Sequence, residues 1–396
     1  MNKKTNYSLA STTWDSKEYD AMQKVIDSSM FTMGKNVNEF EKNFSIKFNS
    51  KYSVMVNSGS SANLLMIASL FFTNDGRYKL KRGDEIIVPS VSWSTTYYPL
   101  LQYGLKVKFV DINLNTLNFD LNSLENAVTE KTKAIFIVNL LGNSNDFERI
   151  DEIISKKNKN IIKLLDNCES MGSKFKGKNT GEYVLLSSYS TFFSHHISTM
   201  EGGVITTYNE ELYHILLSLR AHGWTRQLPN NNLVTGQKSS NPFDESFKFV
   251  LPGYNVRPME LSGAIGIEQL KKLDDLVYQR RQNAQTFVDL FSDFDNFIIQ
   301  KEIGDSSWFG FSLIINPNST LDRNLIIQKL ENNNIETRPV VAGNFVKNPV
   351  IKYFDYEVEN NLKNSDIVHT NGFFVGNHHY CLKDQLFLLR EVLDNE

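Results

Sequence analysis

From Tyr52 to Thr207 the chain alternates short apolar runs with stretches of helical periodicity, and few folds satisfy that alternation. Tyr52-Ser-Val-Met-Val-Asn57, Asp84-Glu-Ile-Ile-Val-Pro89, Val107-Lys-Phe-Val-Asp111, Ala134-Ile-Phe-Ile-Val138, Ile161-Ile-Lys-Leu-Leu-Asp166 and Gly203-Val-Ile-Thr-Thr207 read as strands, and Ala62 to Phe72 as a helix. Strands interleaved with helices imply an α/β fold with a mainly parallel central sheet. Such sheets bind ligands beyond the carboxyl ends of their strands, where Asn57, Pro89 and Asp166 fall.

After Arg257 a helical stretch, Met259 to Leu276, leads into a long helix rich in Arg and Gln. Beyond Asn296 the pattern changes to the strand-like Trp308-Phe-Gly-Phe-Ser-Leu-Ile-Ile315 and a helical Leu321 to Asn332. At 396 residues the chain exceeds one hydrophobic core. We expect a large domain over 1–275 and a smaller α+β domain over 276–396, closely packed because no Gly/Ser-rich linker separates them.

A net charge of -3 offers no field for nucleic acid or an anionic membrane, so anionic ligands must be met by individual Arg or Lys residues. Two cysteines, Cys168 and Cys381, cannot supply a disulfide framework, a four-thiolate zinc site or a cysteine-ligated cluster, and no metal is expected. Met1 to Tyr7 is polar, and no apolar run is long enough to span a bilayer, so a cytoplasmic enzyme is expected.

Four short segments carry candidate chemistry. Asn57-Ser-Gly-Ser-Ser-Ala62 joins a strand to a helix whose N-terminus favours a phosphate, although a Ser/Gly turn is often only a turn. Pro89-Ser-Val-Ser-Trp93 puts an indole at a strand end, as core filler or as a surface for a planar ring. Asp166-Asn-Cys-Glu169 puts a carboxylate at a strand end, where it either caps the next helix or protonates a pyridine nitrogen. The fourth is Ser190-Thr-Phe-Phe-Ser-His-His-Ile-Ser-Thr-Met-Glu-Gly-Gly203.

Taken in order, these four segments resemble the fold-type I pyridoxal-phosphate enzymes of the StrS-type nucleotide-sugar aminotransferase family. Phe109-Val-Asp111, Val138-Asn-Leu-Leu-Gly142 and Gly253-Tyr-Asn-Val-Arg257 extend the likeness over nearly the whole chain. In that family the residue six before the Glu of Glu-Gly-Gly is the cofactor-binding lysine. Counting back from Glu201 gives His195, and no lysine occurs between Lys178 and Lys238. A histidine cannot tether the cofactor, but it can move protons near neutral pH. The exchange resembles the nucleotide-sugar 3-dehydratases of the family.

The resemblance implies pyridoxal 5'-phosphate in its amine form (pyridoxamine 5'-phosphate), with His195 as the proton-transfer residue. The reaction it implies is loss of the carbon-3 hydroxyl from a GDP-4-keto-6-deoxy sugar, a mannose-type hexose or a heptose homologue. L-glutamate would restore the amine. Gly59, Ser60 and Ser190 would hold the phosphate, Trp93 would stack on the ring, Asp166 would face the ring nitrogen and Glu169 the ring hydroxyl. Asn255 would reach the phosphate of the neighbouring subunit, which makes the active unit a homodimer with shared sites. His222 and Arg257 would meet the amino-acid carboxylate. Arg226, the backbone of Ser29-Met30-Phe31-Thr32 and Arg338 are candidates for the sugar nucleotide. The competing readings are a 4-aminotransferase using a distant lysine and a cofactor-binding regulator without activity.

Overall fold

The computed structural model describes residues 7–157 and 160–394. The polar N-terminal stretch up to Asn6 lies outside them.

An eight-stranded sheet forms the larger lobe. Its strands run in the order Tyr52–Val56, Gly203–Thr207, Leu186–Ser190, Ile162–Asp166, Thr132–Val138, Glu85–Pro89, Lys106–Val110 and Tyr356–Val358. Gly203–Thr207 runs antiparallel to both of its neighbours, and the other pairings are parallel. The period of two divides each strand between two cores. Ile86, Val88, Phe136 and Leu164 pack in one, while Ile87, Ile135, Ile137 and Leu165 pack in the other. This two-sided burial explains why the central strands read as unbroken apolar runs. Leu186–Ser190 was not expected from sequence, because Leu-Ser-Ser-Tyr-Ser has little strand propensity, yet all five residues are buried. The hydroxyl of Ser188 donates to Asn63 Oδ1 (2.6 Å), which makes its burial tolerable.

The smaller lobe is a three-stranded antiparallel sheet with Gly310–Ile315 between Phe297–Ile299 and Gly372–Gly376. Helices Arg323–Asn332 and Lys383–Asp394 cover it, and Phe287, Phe291, Trp308, Phe311, Leu330 and Leu389 share its core. Tyr7 is drawn into that core: its hydroxyl donates to Gly376 O (2.7 Å), and its backbone pairs with Asn334 and Glu336.

The two helices expected on either side of residue 276 are one helix, Glu260–Phe291, of 32 residues. The boundary expected at 275 falls inside it, and Tyr356–Val358 returns to the edge of the large sheet. At the helix start, the buried Glu260 carboxylate accepts from the backbone N–H groups of Gly34 (2.6 Å) and Asn36 (2.6 Å). It thereby caps helix Lys35–Lys47, whose own N-cap, Gly34, has no side chain to do so. Among the described residues, no helix is long and apolar enough to cross a membrane.

Candidate active site

A cavity of about 390 Å³ lies beyond the carboxyl ends of strands Glu85–Pro89, Thr132–Val138 and Ile162–Asp166. Gly59, Ser60, Trp93, Asp166, Glu169, Ser190 and His195 line it together. Among the described residues, none that lines it is a lysine.

Helix Gly59–Phe72 points its N-terminus at the cavity, and its N-cap Ser58 accepts from Ser61 N–H (3.1 Å). A Cβ on Gly59 would come within 2.8 Å of Ser190 Cβ and 2.9 Å of Cys168 Sγ, so only glycine fits where the turn meets strand Leu186–Ser190. The early amides of this helix and the Ser60 and Ser190 hydroxyls, which line the same cavity, are the groups that could cradle an anion. Trp93 ends the loop before helix Ser94–Gln102 and leaves 58% of its surface exposed, so a face of the indole is free to cover a flat ring.

Asp166 is buried at the end of its strand. Its Oδ2 accepts from Asn63 Nδ2 (2.7 Å) and Thr96 Oγ1 (2.7 Å), and its Oδ1 from the Cys168 N–H (3.1 Å). Glu169 accepts from the Leu141 N–H (3.1 Å). Burial pushes its carboxyl up to about 7; the Leu141 hydrogen bond opposes this and the Asp166 charge adds to it.

His195 sits in the loop between strands Leu186–Ser190 and Gly203–Thr207, with its Nδ1 buried and without a hydrogen-bond partner. Burial first, and then the Arg280 charge, pull its imidazole down to about 4. The sequence led us to expect a group titrating near neutrality, but the surroundings hold this one uncharged there. The adjacent His196 is also lowered, yet it points elsewhere, to Ser307 O (3.1 Å).

A flat, phosphorylated pyridine fits this arrangement: cradle, exposed indole, buried carboxylate and an unpartnered imidazole nitrogen share one cavity. The other candidates lie outside it. His222, Arg226 and Arg257 gather round Trp224, with the His222 ring 4.8 Å and the guanidinium carbons 6.0 and 5.9 Å from its ring centroid. Asn255, exposed, accepts from Arg257 Nε (3.0 Å). Ser29, Met30, Phe31 and Thr32 are exposed, and the backbone of Thr32 bridges to Met259. Arg338 is exposed, but its backbone pairs with Phe374, which lines the cavity. The sequence reading missed Asn63 and Thr96, the donors to Asp166, because nothing along the chain marks a partner 103 or 70 residues away. It also missed Phe309, Val341 and Phe374, by which the smaller lobe closes the cavity.

The DegT/DnrJ/EryC1/StrS aminotransferase family matches residues 12–386. A GDP-4-keto-6-deoxy-D-mannose 3-dehydratase of Escherichia coli O55:H7 (strain CB9615 / EPEC) is 60% identical over 389 residues, covering 98% of this chain and 99% of that protein. A solved structure of GDP-4-keto-6-deoxymannose-3-dehydratase with a trapped PLP-glutamate geminal diamine matches with a TM-score of 0.96 at 60% identity, over 98% of this chain and 100% of that one. An asparagine-for-histidine mutant of such an enzyme, with bound GDP-perosamine, matches with the same score, identity and coverage. The chain belongs to the DegT/DnrJ/EryC1/StrS aminotransferase family.

Proposed function

We propose that this chain removes the carbon-3 hydroxyl from a GDP-4-keto-6-deoxy sugar of the mannose type, with pyridoxamine phosphate as cofactor and L-glutamate restoring its amine. The observation that carries the reading is His195, lining a cavity of about 390 Å³ that no lysine enters among the described residues. The names of the relatives at 60% identity support the substrate and the cofactor.

Pyridoxamine phosphate, when bound, supplies an amine for the 4-keto carbon and a ring that accepts an electron pair. Asp166, oriented by its three donors, keeps the ring nitrogen protonated. The uncharged His195 takes a proton from the carbon bearing the amine and gives it to the departing carbon-3 hydroxyl, so one group is both base and acid. Glu169, with its carboxyl near neutrality, can donate to or accept from the ring hydroxyl. Gly59, Ser60 and Ser190 hold the phosphate, and Trp93 covers the ring. Without a lysine tether, these contacts carry all of the cofactor's affinity.

We assign the basic aromatic cluster of His222, Arg226 and Arg257 to substrate and glutamate, together with Ser29–Thr32 and Arg338. Asn255 stands exposed and clear of its own chain's cavity, in keeping with a homodimer whose sites are shared. A cytoplasmic setting accords with two unpaired cysteines.

Mass spectrometry of the reaction with GDP-4-keto-6-deoxymannose and L-glutamate tests this. The expected sugar product is lighter by one oxygen, with 2-oxoglutarate and ammonia released in equal amounts. An amino sugar that keeps its carbon-3 oxygen would instead mark an aminotransferase, and no turnover a regulator.

A further inference from the structure

Among the described residues, His195 Nδ1 has no hydrogen-bond partner, and the charge that acts on the ring is that of Arg280, not a carboxylate. Two aromatic rings hold it instead, both edge to face. Phe192, in the same loop, lies 5.8 Å away between centroids. Phe309, from the smaller lobe, lies 5.1 Å away and also packs against His196.

Phe309 is fixed on every side. Its N–H donates to Leu141 O (3.0 Å), and its carbonyl accepts from Arg280 Nη1 (3.0 Å). Trp308 before it has a φ of 47°, in the left-handed region that non-glycine residues avoid. The contact with Gly142 is so close that a Cβ there would come 2.3 Å from Trp308 N and 2.7 Å from Phe309 N. Arg280 is a buried cation with no carboxylate partner among the described residues. It directs its charge at backbone carbonyls, those of Phe309 and Asn377 (2.5 Å). Asn377 returns the tie by donating to Arg280 O (3.0 Å) and Trp308 O (2.8 Å).

We propose that Phe309 is a positioning residue for His195, held in place by Arg280, so that the smaller lobe aims the base carried by the larger one. This rests on His195 being the proton-transfer residue. With a flat ring against it the imidazole has one orientation; with a smaller, rounder neighbour it can turn. A base misplaced by about 1 Å costs on the order of a hundredfold in rate.

The test is made on holoenzyme labelled with nitrogen-15 histidine, the His195 signals being assigned by their loss in His195→Asn. Phe309→Leu is expected to broaden or multiply those signals. It should also lower kcat for dehydration by about tenfold or more, with KM for the sugar nucleotide changed less than about twofold. Phe309→Tyr, which keeps the ring, should retain narrow signals and nearly all of the rate. Narrow, unmoved signals and an unchanged kcat in Phe309→Leu would overturn the proposal, as would equal losses in the Leu and Tyr variants. The spectrum reads orientation whether or not His195 is the base, and activity surviving in His195→Asn would count against the base alone.

Discussion

On the proposed mechanism, His195 in place of a tethering lysine moves the work of holding the cofactor onto non-covalent contacts and leaves position 195 free to transfer protons. His195→Asn is therefore expected to retain the cofactor about as well as the parent, by absorbance of the protein after gel filtration. The same variant should lose dehydration by about a hundredfold or more. A cofactor lost together with activity would mean that His195 is a binding residue. A second expectation concerns acid. Histidines held below their ordinary value stabilise the fold fully above about pH 6.5 and lose that contribution as pH falls towards the folded value. The buried His378, lowered to about 4 chiefly by burial, is worth about 2 kcal/mol between pH 7 and pH 5. His195 and His196 act in the same direction. Glu169, raised to about 7, acts oppositely and offsets one of the three. Denaturant midpoints of the cofactor-free protein should thus be lower at pH 5 than at pH 7, and an equal or higher midpoint at pH 5 would refute this. At this scale the sequence was informative where fixed spacing marks single residues, as with Glu201 and His195, which the fold brings to one cavity. It was silent on Arg280, whose influence on four histidines depends on folding alone.

The strands legible in the sequence are those whose apolar runs face two cores, while Leu186–Ser190, which carries Ser190 to the cavity, was hidden by its serines. Tertiary burial outweighed local preference there. The long helix was misjudged in the other direction: a change of texture near Leu276 reflects a change of surroundings, not a break in the backbone. We propose that the two lobes share this helix rather than divide at its midpoint. The junction at Gly142 offers a sharp test. Gly142 (φ 95°) is crowded by Trp308 and Phe309, whereas a Cβ on Gly177 (φ 78°) would meet nothing within 4 Å. Gly177→Ala should cost only the left-handed strain, about 1 to 2 kcal/mol. Gly142→Ala should cost about 3 kcal/mol or more, because backbone must also move. Chemical denaturation of the two variants side by side checks it, and equal costs would show that the crowding is harmless.

For the whole molecule the decisive expectation is the shared site. If Asn255 serves the neighbouring cavity, a chain carrying Asn255→Ala and one carrying His195→Asn are each defective alone. Mixed as a heterodimer, they build one intact cavity out of two. Co-refolded in equal amounts, they should recover about a quarter of wild-type activity, since about half the dimers are mixed and each holds one good site. Recovery no greater than the average of the two parents would place Asn255 in its own chain's service.

The seat of Tyr7 in the smaller lobe bears on how the protein is made. Its hydroxyl partner, Gly376, lies 369 residues further along. At a synthesis rate of about 5–20 residues per second, Tyr7 leaves the ribosome roughly 20 to 70 s before that partner exists. The large sheet has most of its strands by Thr207 and can begin to form while the N-terminal segment is still waiting. The smaller lobe, which presses Phe309 against His195, can close only after Gly376 has been made, so the His195 imidazole gains its aromatic neighbour on a large sheet that has already had time to form.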